Sequence, residues 1–251
     1  MPAFNEGPRI RQVAAAVLAQ GAARLILVDD GSTDDTREAL AGLDLVLLAH
    51  PQNRGKGFAL ATGLDFALAQ GFERIVTIDA DGQHRPSDLP RLVAAAQARP
   101  QALVIAARVR RREQAPGWRR FGNDMADFWV SWACGRPVAD TQSGYRLYPT
   151  ARLSAVRLRP RAGQGFAFES ALLIDLVQAG ADLCTVAIDT LYDRDGRPSH
   201  YRPWRDTLSI VRLVAGHLLR RGLYPLGLLR ALGLLPPRAG PAGLASQVQE
   251  R

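Results

Sequence analysis

The segment Ile75-Val76-Thr77-Ile78-Asp79-Ala80-Asp81-Gly82-Gln83-His84 places two carboxylates two residues apart, directly behind a run of β-type residues. On an extended chain, residues i and i+2 point to the same side. Asp79 and Asp81 can therefore face one point just beyond the end of a strand. Hard oxygen ligands at this spacing suit Mg2+ or Mn2+, which take one or two protein carboxylates and leave positions for water and substrate phosphates. The chemistry this suggests is a metal–diphosphate site at the carboxyl end of a strand. The competing reading is that the two aspartates cap the following helix, a role Ser87 and Asp88 stand close enough to share.

The elements that would position such a site follow from the pattern of apolar residues. Residues 25–28 form a short, continuous apolar run, as expected of a buried parallel strand. It ends in Asp29-Asp30-Gly31-Ser32-Thr33-Asp34-Asp35-Thr36, where Ser32 or Thr33 can cap a helix with acidic residues in its first turn. Further strands are expected over residues 45–49, 74–78, 103–107 and 183–188, and helices over 56–70, 88–99, 118–134 and 169–179. Strands alternating with helices over short connections indicate an α/β domain with a mainly parallel sheet. Ligands of such sheets bind beyond the carboxyl ends of the strands. Asp29-Asp30, Asp79-Ala80-Asp81 and Arg108 all fall just after expected strands, so the architecture brings them to one edge.

Composition narrows the partners. The net charge of +8 and pI near 10.4 favour phosphate-rich ligands, whether nucleic acid, anionic lipid or phosphorylated substrate. No nucleic-acid-binding motif appears, and the arginines gather in loops beside the expected site, so a nucleic-acid partner is not expected. Lys56, within Asn53-Arg54-Gly55-Lys56-Gly57, is the single lysine among otherwise arginine-only basic residues, a hint that an ammonium is needed there. The two cysteines, Cys134 and Cys184, sit in apolar surroundings and read as thiols of a reducing compartment. The opening residues lack the basic-then-apolar pattern of a secretory signal. Together these suggest the cytoplasm.

Residues 109–117 form an arginine-rich loop that reads equally as a solvated face, and residues 193–205 form a second basic loop. From Thr207 the chain is leucine-rich to Leu235, yet arginines and His217 keep every apolar run short of the ~20 residues that span a bilayer. One or two amphipathic helices lying on a membrane surface are expected here, the alternative being ordinary core-packing helices. The expected organisation is a catalytic domain over residues 1–205, surface helices over 206–235 and a disordered tail over 236–251.

Several motifs in order resemble the family 2 glycosyltransferases: Pro2-Ala3-Phe4-Asn5-Glu6, Val28-Asp29-Asp30-Gly31-Ser32-Thr33-Asp34, Asn53-Arg54-Gly55-Lys56-Gly57 and Asp79-Ala80-Asp81-Gly82-Gln83-His84. The last form is closest to the polyprenyl-phosphate hexosyltransferases, such as the dolichyl-phosphate mannose synthases. Gln142-Ser143-Gly144-Tyr145-Arg146, Phe166-Ala167-Phe168-Glu169 and Ser199-His200-Tyr201-Arg202-Pro203 resemble later motifs of that subgroup. The resemblance spans roughly residues 1–210. It implies a GT-A type, Rossmann-like mixed sheet with flanking helices. The family's strand before the Pro-x-x-Asn-Glu segment has no counterpart in this chain, so a sheet lacking its first strand, with an exposed edge, is expected. The transmembrane pair of many bacterial relatives has no counterpart either.

The resemblance also implies roles. Pro2, Asn5, Glu6, Asp29 and Asp30 match positions that contact the nucleoside, and Lys56, Asp79 and Ala80 complete the nucleotide-sugar set. Asp79, Asp81 and Gln83 would hold Mg2+ or Mn2+ against the leaving diphosphate. Asp81 stands among the catalytic candidates with Arg108, Arg120, Arg194 and Arg202, whose guanidinium groups can clamp phosphate in bidentate fashion. Each of these arginines reads equally as a surface ion pair. A phosphate-monoester acceptor, already a nucleophile at pH 7 with a second pKa near ~6, requires no general base. None is assigned, although Glu169 and Asp140 face the region by analogy.

The activity implied is an inverting transfer of mannose or glucose from GDP-mannose or UDP-glucose to a polyprenyl phosphate, at the cytoplasmic face of an anionic membrane surface. Two other readings remain: the same fold acting on a glycan or another lipid, and a non-catalytic nucleotide-sugar- or membrane-binding protein.

Overall fold

A computed structural model describes residues 1–108, 117–160, 167–189 and 203–236. Its strands form two sheets. In the first, β1 (Pro2–Ala3), β2 (Ile26–Asp29) and β3 (Val46–Ala49) run parallel in the order β1-β2-β3. In the second, β4 (Arg74–Thr77), β6 (Arg146–Pro149), β5 (Ala102–Ala107) and β7 (Asp182–Ala187) lie in the order β4-β6-β5-β7. There β6 is antiparallel to β4 and β5, while β5 and β7 are parallel. The sheet structure is therefore mixed, as the resemblance implies.

A first strand is present over two residues. Pro2 and Ala3 stand opposite Val28 and Asp29, and the carbonyls of Met1 and Ala3 accept the N–H groups of Val28 (2.9 Å) and Asp30 (2.8 Å). The inner edge of β2, expected to lie bare, is thus hydrogen-bonded where it leads into Asp29 and Asp30.

Helices cover both faces, and β5 shows why all its positions are apolar. Leu103 and Ile105 point into a core shared with α2 (Lys56–Ala69), α4 (Gly117–Cys134), α6 (Ala167–Gln178) and α7 (Pro203–Arg220). Val104 and Ala106 point the other way, into a core built with α1 (Arg9–Leu18) and α3 (Leu89–Ala98). A strand buried on both faces loses the polar–apolar alternation of a half-exposed one. Between β6 and α6 lies α5 (Thr150–Leu153).

The expected helix after Ser32 and Thr33 does not form. The segment is a turn followed by a short 3₁₀ helix, Glu38–Leu40. Its polar side chains face the Asn5-Glu6 loop instead: Thr36 Oγ1 accepts the N–H groups of Glu6 (2.9 Å) and Gly7 (3.0 Å), and Asn5 Oδ1 accepts that of Thr33 (2.8 Å). Side chains used this way compete with helix formation.

The leucine-rich region forms α7 and α8 (Pro225–Ala231). Ile210, Val214 and Leu218 of α7 are buried in the core, whereas Leu219, Leu223, Leu226, Leu232 and Leu234 are exposed. Trp132 on α4 donates its indole N–H to the carbonyls of Leu223 and Tyr224 (both 3.1 Å), tying the turn between the two helices to the domain. Among the described residues no helix is long and apolar enough to cross a membrane. The tail, residues 237–251, lies outside the described residues.

Candidate active site

The carboxyl ends of β2, β4 and β5 converge with the loop before β6 and the first turns of α2 and α6. Asp29 and Asp30, at the end of β2, are buried and build the loops around the site. Asp29 accepts the Ser32 N–H (3.0 Å) and pairs with the Arg37 guanidinium. Asp30 accepts His50 Nδ1 (2.6 Å) and the N–H groups of Arg54 (3.0 Å) and Gly55 (2.7 Å). The effect of Asp30 is to fix the loop that delivers Lys56 at the start of α2. Gly31, at φ +75°, has no room for a side chain: a Cβ would lie 2.5 Å from the Gln52 carbonyl carbon.

Asp79 and Asp81 lie just past β4. Lys56 Nζ reaches Asp79 Oδ1 (2.8 Å) and Glu169 Oε2 (3.0 Å), joining two acids that are far apart in sequence. Burial opposes the charge on Lys56, but Asp79 and Glu169 outweigh it and raise the ammonium above its ordinary range. The two aspartates diverge. Burial alone would raise Asp79, yet Lys56 and Arg108, joined by His84 only where acid protonates it, hold it below the usual carboxylate range. Asp81 is raised, first by burial and then by the charge of Asp79. Burial also pushes the His84 imidazole down to about 4, so it is neutral at pH 7, and its Nδ1 has no hydrogen-bond partner.

Gly144 forms the floor under Asp79. Thr77 Oγ1 donates to the Gly144 carbonyl (2.8 Å), linking the end of β4 to the loop before β6. Arg146, fully buried, anchors that loop. Its guanidinium donates to the carbonyls of Thr141 (2.7 Å), Ser143 (2.8 Å) and Glu169 (2.7 Å), so one side chain aligns the loop with the first turn of α6.

Arg108 is placed at the site edge, as expected, but its guanidinium is engaged within the protein. Nε and Nη2 donate to Asp140 Oδ2 (2.8 Å) and Oδ1 (2.6 Å), and the Arg108 backbone N–H adds a third bond (2.8 Å). Burial would raise the Asp140 carboxyl, but these bonds and the Arg108 charge hold it below the usual carboxylate range. A carboxyl with a depressed folded-state pKa contributes stability above its unfolded pKa, near ~3.9, and loses that contribution as pH falls through the lower folded value. Asp140→Asn is therefore expected to cost about 2 kcal/mol at neutral pH and progressively less below ~3.9. Thermal melts of both proteins across this range check it, a constant difference contradicting the pairing.

The remaining expected site residues are distributed as follows. Pro2 lies in β1, and Asn5 and Glu6 line the loop packed on residues 32–36. Ala80 is buried between the two aspartates, and Gln83 donates its backbone N–H to Asp81 Oδ1 (3.0 Å). Arg120 falls in the first turn of α4, while Arg194 and Arg202 lie outside the described residues. His50, Gly144 and Arg146 carry the geometry without having been expected to. For Gly144 and Arg146 the signal was the Gly-Tyr-Arg run, and His50 has none.

The donor set suits a hard divalent cation. The two half-buried carboxylates repel each other, which adds to the rise that burial gives Asp81, and a cation between them would relieve that repulsion. Among the described residues no three His, Cys, Asp or Glu side chains form a closed cage. Asp79 and Asp81, with the Gln83 amide, are the residues that could hold Mg2+ or Mn2+, leaving the rest of the shell to water and phosphate oxygen.

The Glycosyl transferase family 2 model matches residues 1–147, which include both sheet-end acid pairs. The chain belongs to this family. As a family 2 glycosyltransferase it is similar to the UDP-N-acetylglucosamine–dolichyl-phosphate N-acetylglucosaminyltransferase of Methanococcus voltae, with 28% identity over 69% of this chain and 77% of that protein. It is also similar to the polyprenol monophosphomannose synthase of Mycolicibacterium smegmatis, with 30% identity over 75% of this chain and 74% of that protein. Among solved structures, the glucosyl-3-phosphoglycerate synthase of Mycobacterium tuberculosis in complex with Mn2+ and UDP-glucose shares the fold. Its TM-score is 0.59 at 24% identity, over 88% of this chain and 76% of that one. The protein is thus an enzyme of the glycosyltransferase class with a GT-A-like fold.

Proposed function

We propose that this glycosyltransferase moves a hexose, mannose or glucose, from a nucleotide sugar to a polyprenyl phosphate with inversion at the anomeric carbon. The observation that carries the reading is the half-buried Asp79–Asp81 pair beyond β4, one acid held ionised and the other raised, in a fold whose relatives are named for polyprenyl-phosphate acceptors. Asp79, Asp81 and Gln83 hold Mg2+ or Mn2+, which when bound neutralises charge on the departing diphosphate. Lys56 holds Asp79 in place, and Asp30 holds the loop that carries Lys56. The nucleoside lies along Pro2, Asn5, Glu6 and the 29–36 loop, whose backbone and carboxylates offer acceptors to base and ribose donors. Arg120, Arg194 and Arg202 are the candidates for phosphate contacts, Arg108 being braced by Asp140.

The acceptor side rests on α7 and α8. Leu219 and Leu226 stand exposed on the helices, and Leu223, Leu232 and Leu234 on the turns at their ends, near Arg212, Arg220 and Arg230 in sequence, a composition suited to an anionic membrane surface on the cytoplasmic side. A phosphate head brought there attacks as its own nucleophile, which is why no protein base is required.

The test is a transfer assay with the full chain, Mg2+ or Mn2+, and a panel of GDP-mannose, UDP-glucose and UDP-N-acetylglucosamine. Undecaprenyl phosphate and dolichyl phosphate are compared with soluble sugar and phosphoglycerate acceptors. A chelator-sensitive, charged lipid-linked sugar is expected. Transfer only to a soluble acceptor, or nucleotide-sugar binding without turnover, would overturn the reading.

A further inference from the structure

Lys56 sits where an unassisted ammonium would not. It is the first residue of α2, and a cation at a helix N-terminus opposes the macrodipole. The residue before it, Gly55, caps the helix with no side-chain bond. What holds the ammonium there is the pair of acids it bridges, Asp79 at 2.8 Å and Glu169 at 3.0 Å. The arrangement is lopsided. Lys56 takes one oxygen from each acid. Asp79 Oδ2 lies close over Gly144, whereas Glu169 Oε1 is buried with no hydrogen-bond partner, in a residue only 4% exposed. An unpaired carboxylate oxygen in the interior is costly and marks a place where a donor can arrive.

We propose that Lys56 is a built-in counter-cation of the Asp79–Asp81 site, which a divalent metal ion displaces from Asp79 and which Glu169 then retains through its spare oxygen. The inference rests on the metal-binding reading of Asp79 and Asp81 given above. It assigns two roles that reading leaves open. Lys56 keeps Asp79 ionised and in position before the metal arrives, at the cost of competing with it. Glu169 is a positioning residue that receives the ammonium, so the exchange leaves no buried charge unpaired. In the metal-free protein the site is therefore preformed, with Lys56 offsetting part of the negative charge of Asp79, Asp81 and Glu169, and metal entry moves one cation aside for another.

Competition can be separated from simple charge. Lys56→Met alone makes the site more negative and would tighten metal binding on either account. The double variant Lys56→Met/Glu169→Gln removes one positive and one negative charge, so its net charge equals that of the wild type, but the competitor is gone. Mn2+ binding to the full-length, nucleotide-free proteins, read by the EPR signal of free Mn2+, is expected to be about fivefold tighter in the double variant, the upper end of what one ion pair near a protein surface is worth. Glu169→Gln alone, which leaves Lys56 to Asp79, is expected to bind more weakly than wild type. Equal affinity of the double variant and the wild type overturns the proposal while leaving the metal site intact. Absence of Mn2+ binding in every protein, with or without UDP or GDP, removes the metal reading itself and the proposal with it.

A second measurement needs no variant. Because Lys56 is the single lysine, 15N-lysine labelling of the wild type gives one ammonium signal. That signal is expected to move with the same midpoint as Mg2+ binding, measured independently by displacement of Mn2+. A signal unmoved at Mg2+ saturation overturns the exchange.

Discussion

Asp79→Asn is expected to lower kcat/KM by about 10³-fold, the scale of losing a principal electrostatic contact to the charge that develops in the transition state. The substitution preserves shape and removes only the charge. The lost carboxylate is the one the site keeps ionised against burial, chiefly through Lys56, with Arg108 adding to it. Asp81, pushed up by burial and by Asp79 itself, is the weaker anion of the pair. The fold should survive, because Lys56 keeps Glu169 as a partner and the amide spares the desolvation of a half-buried charge. The informative combination is therefore a near-native melting temperature with a collapse in turnover and weakened Mn2+ binding. Wild-type kcat/KM in the folded variant would remove Asp79 from the catalytic centre.

The acid pair was legible in sequence because its surroundings are local. A strand precedes it, and the spacing of two puts both side chains on one side. The continuous apolar run of β5 was legible for the same reason: six residues buried on both faces leave no polar positions to misread. The helix α1 was not among the expected elements, although Ile10, Val13, Ala14 and Val17 stand at helical spacing; Pro8 supplies no side-chain cap to mark its start. The strand β6 was less legible. It is four residues long, begins with an arginine and ends with a proline, and its pairing partners are β4 and β5, both far earlier in the chain.

Partners far apart in sequence account for most of what stayed hidden. Asp29 and Asp30 read as ligands, yet their carboxylates hold Ser32, Arg37, His50 and the 54–55 backbone. Arg108 read as a phosphate clamp, but its bidentate partner Asp140 lies 32 positions later. A charge just after a strand carries the same sequence signature whether it binds a substrate or braces a loop. Only the distance to its partner separates the two, and that distance belongs to the tertiary fold. The lone lysine was a fair hint, since it bridges two acids from different elements, but Glu169 as its second anchor has no local signal.

Gly144→Ala tests how closely that tertiary placement is set, and it is expected to lower kcat/KM by about 10²-fold, the scale of displacing a reacting or metal-binding group by about 1 Å. The glycine is not needed for its backbone freedom, since its φ is not positive. It is needed for space: a Cβ would lie 2.6 Å from Asp79 Oδ2 and 2.8 Å from Oδ1. Something must yield, and the loop is poorly able to do so. Its Gly144 carbonyl is held by Thr77, and the carbonyls of Thr141 and Ser143 are held by the buried Arg146. The Asp79 carboxylate, at the end of a side chain with rotatable bonds, yields first and moves away from Lys56. Stability should accordingly fall by only about 1 kcal/mol, at the low end for overpacking, while activity falls much further. If the damage passes through Asp79, adding Gly144→Ala to Asp79→Asn should cost little beyond the single Asp79 variant, because substitutions acting on one shared group are not additive. Kinetics of the four proteins decide it. A full further 10²-fold loss in the double variant would place the role of Gly144 elsewhere than under Asp79.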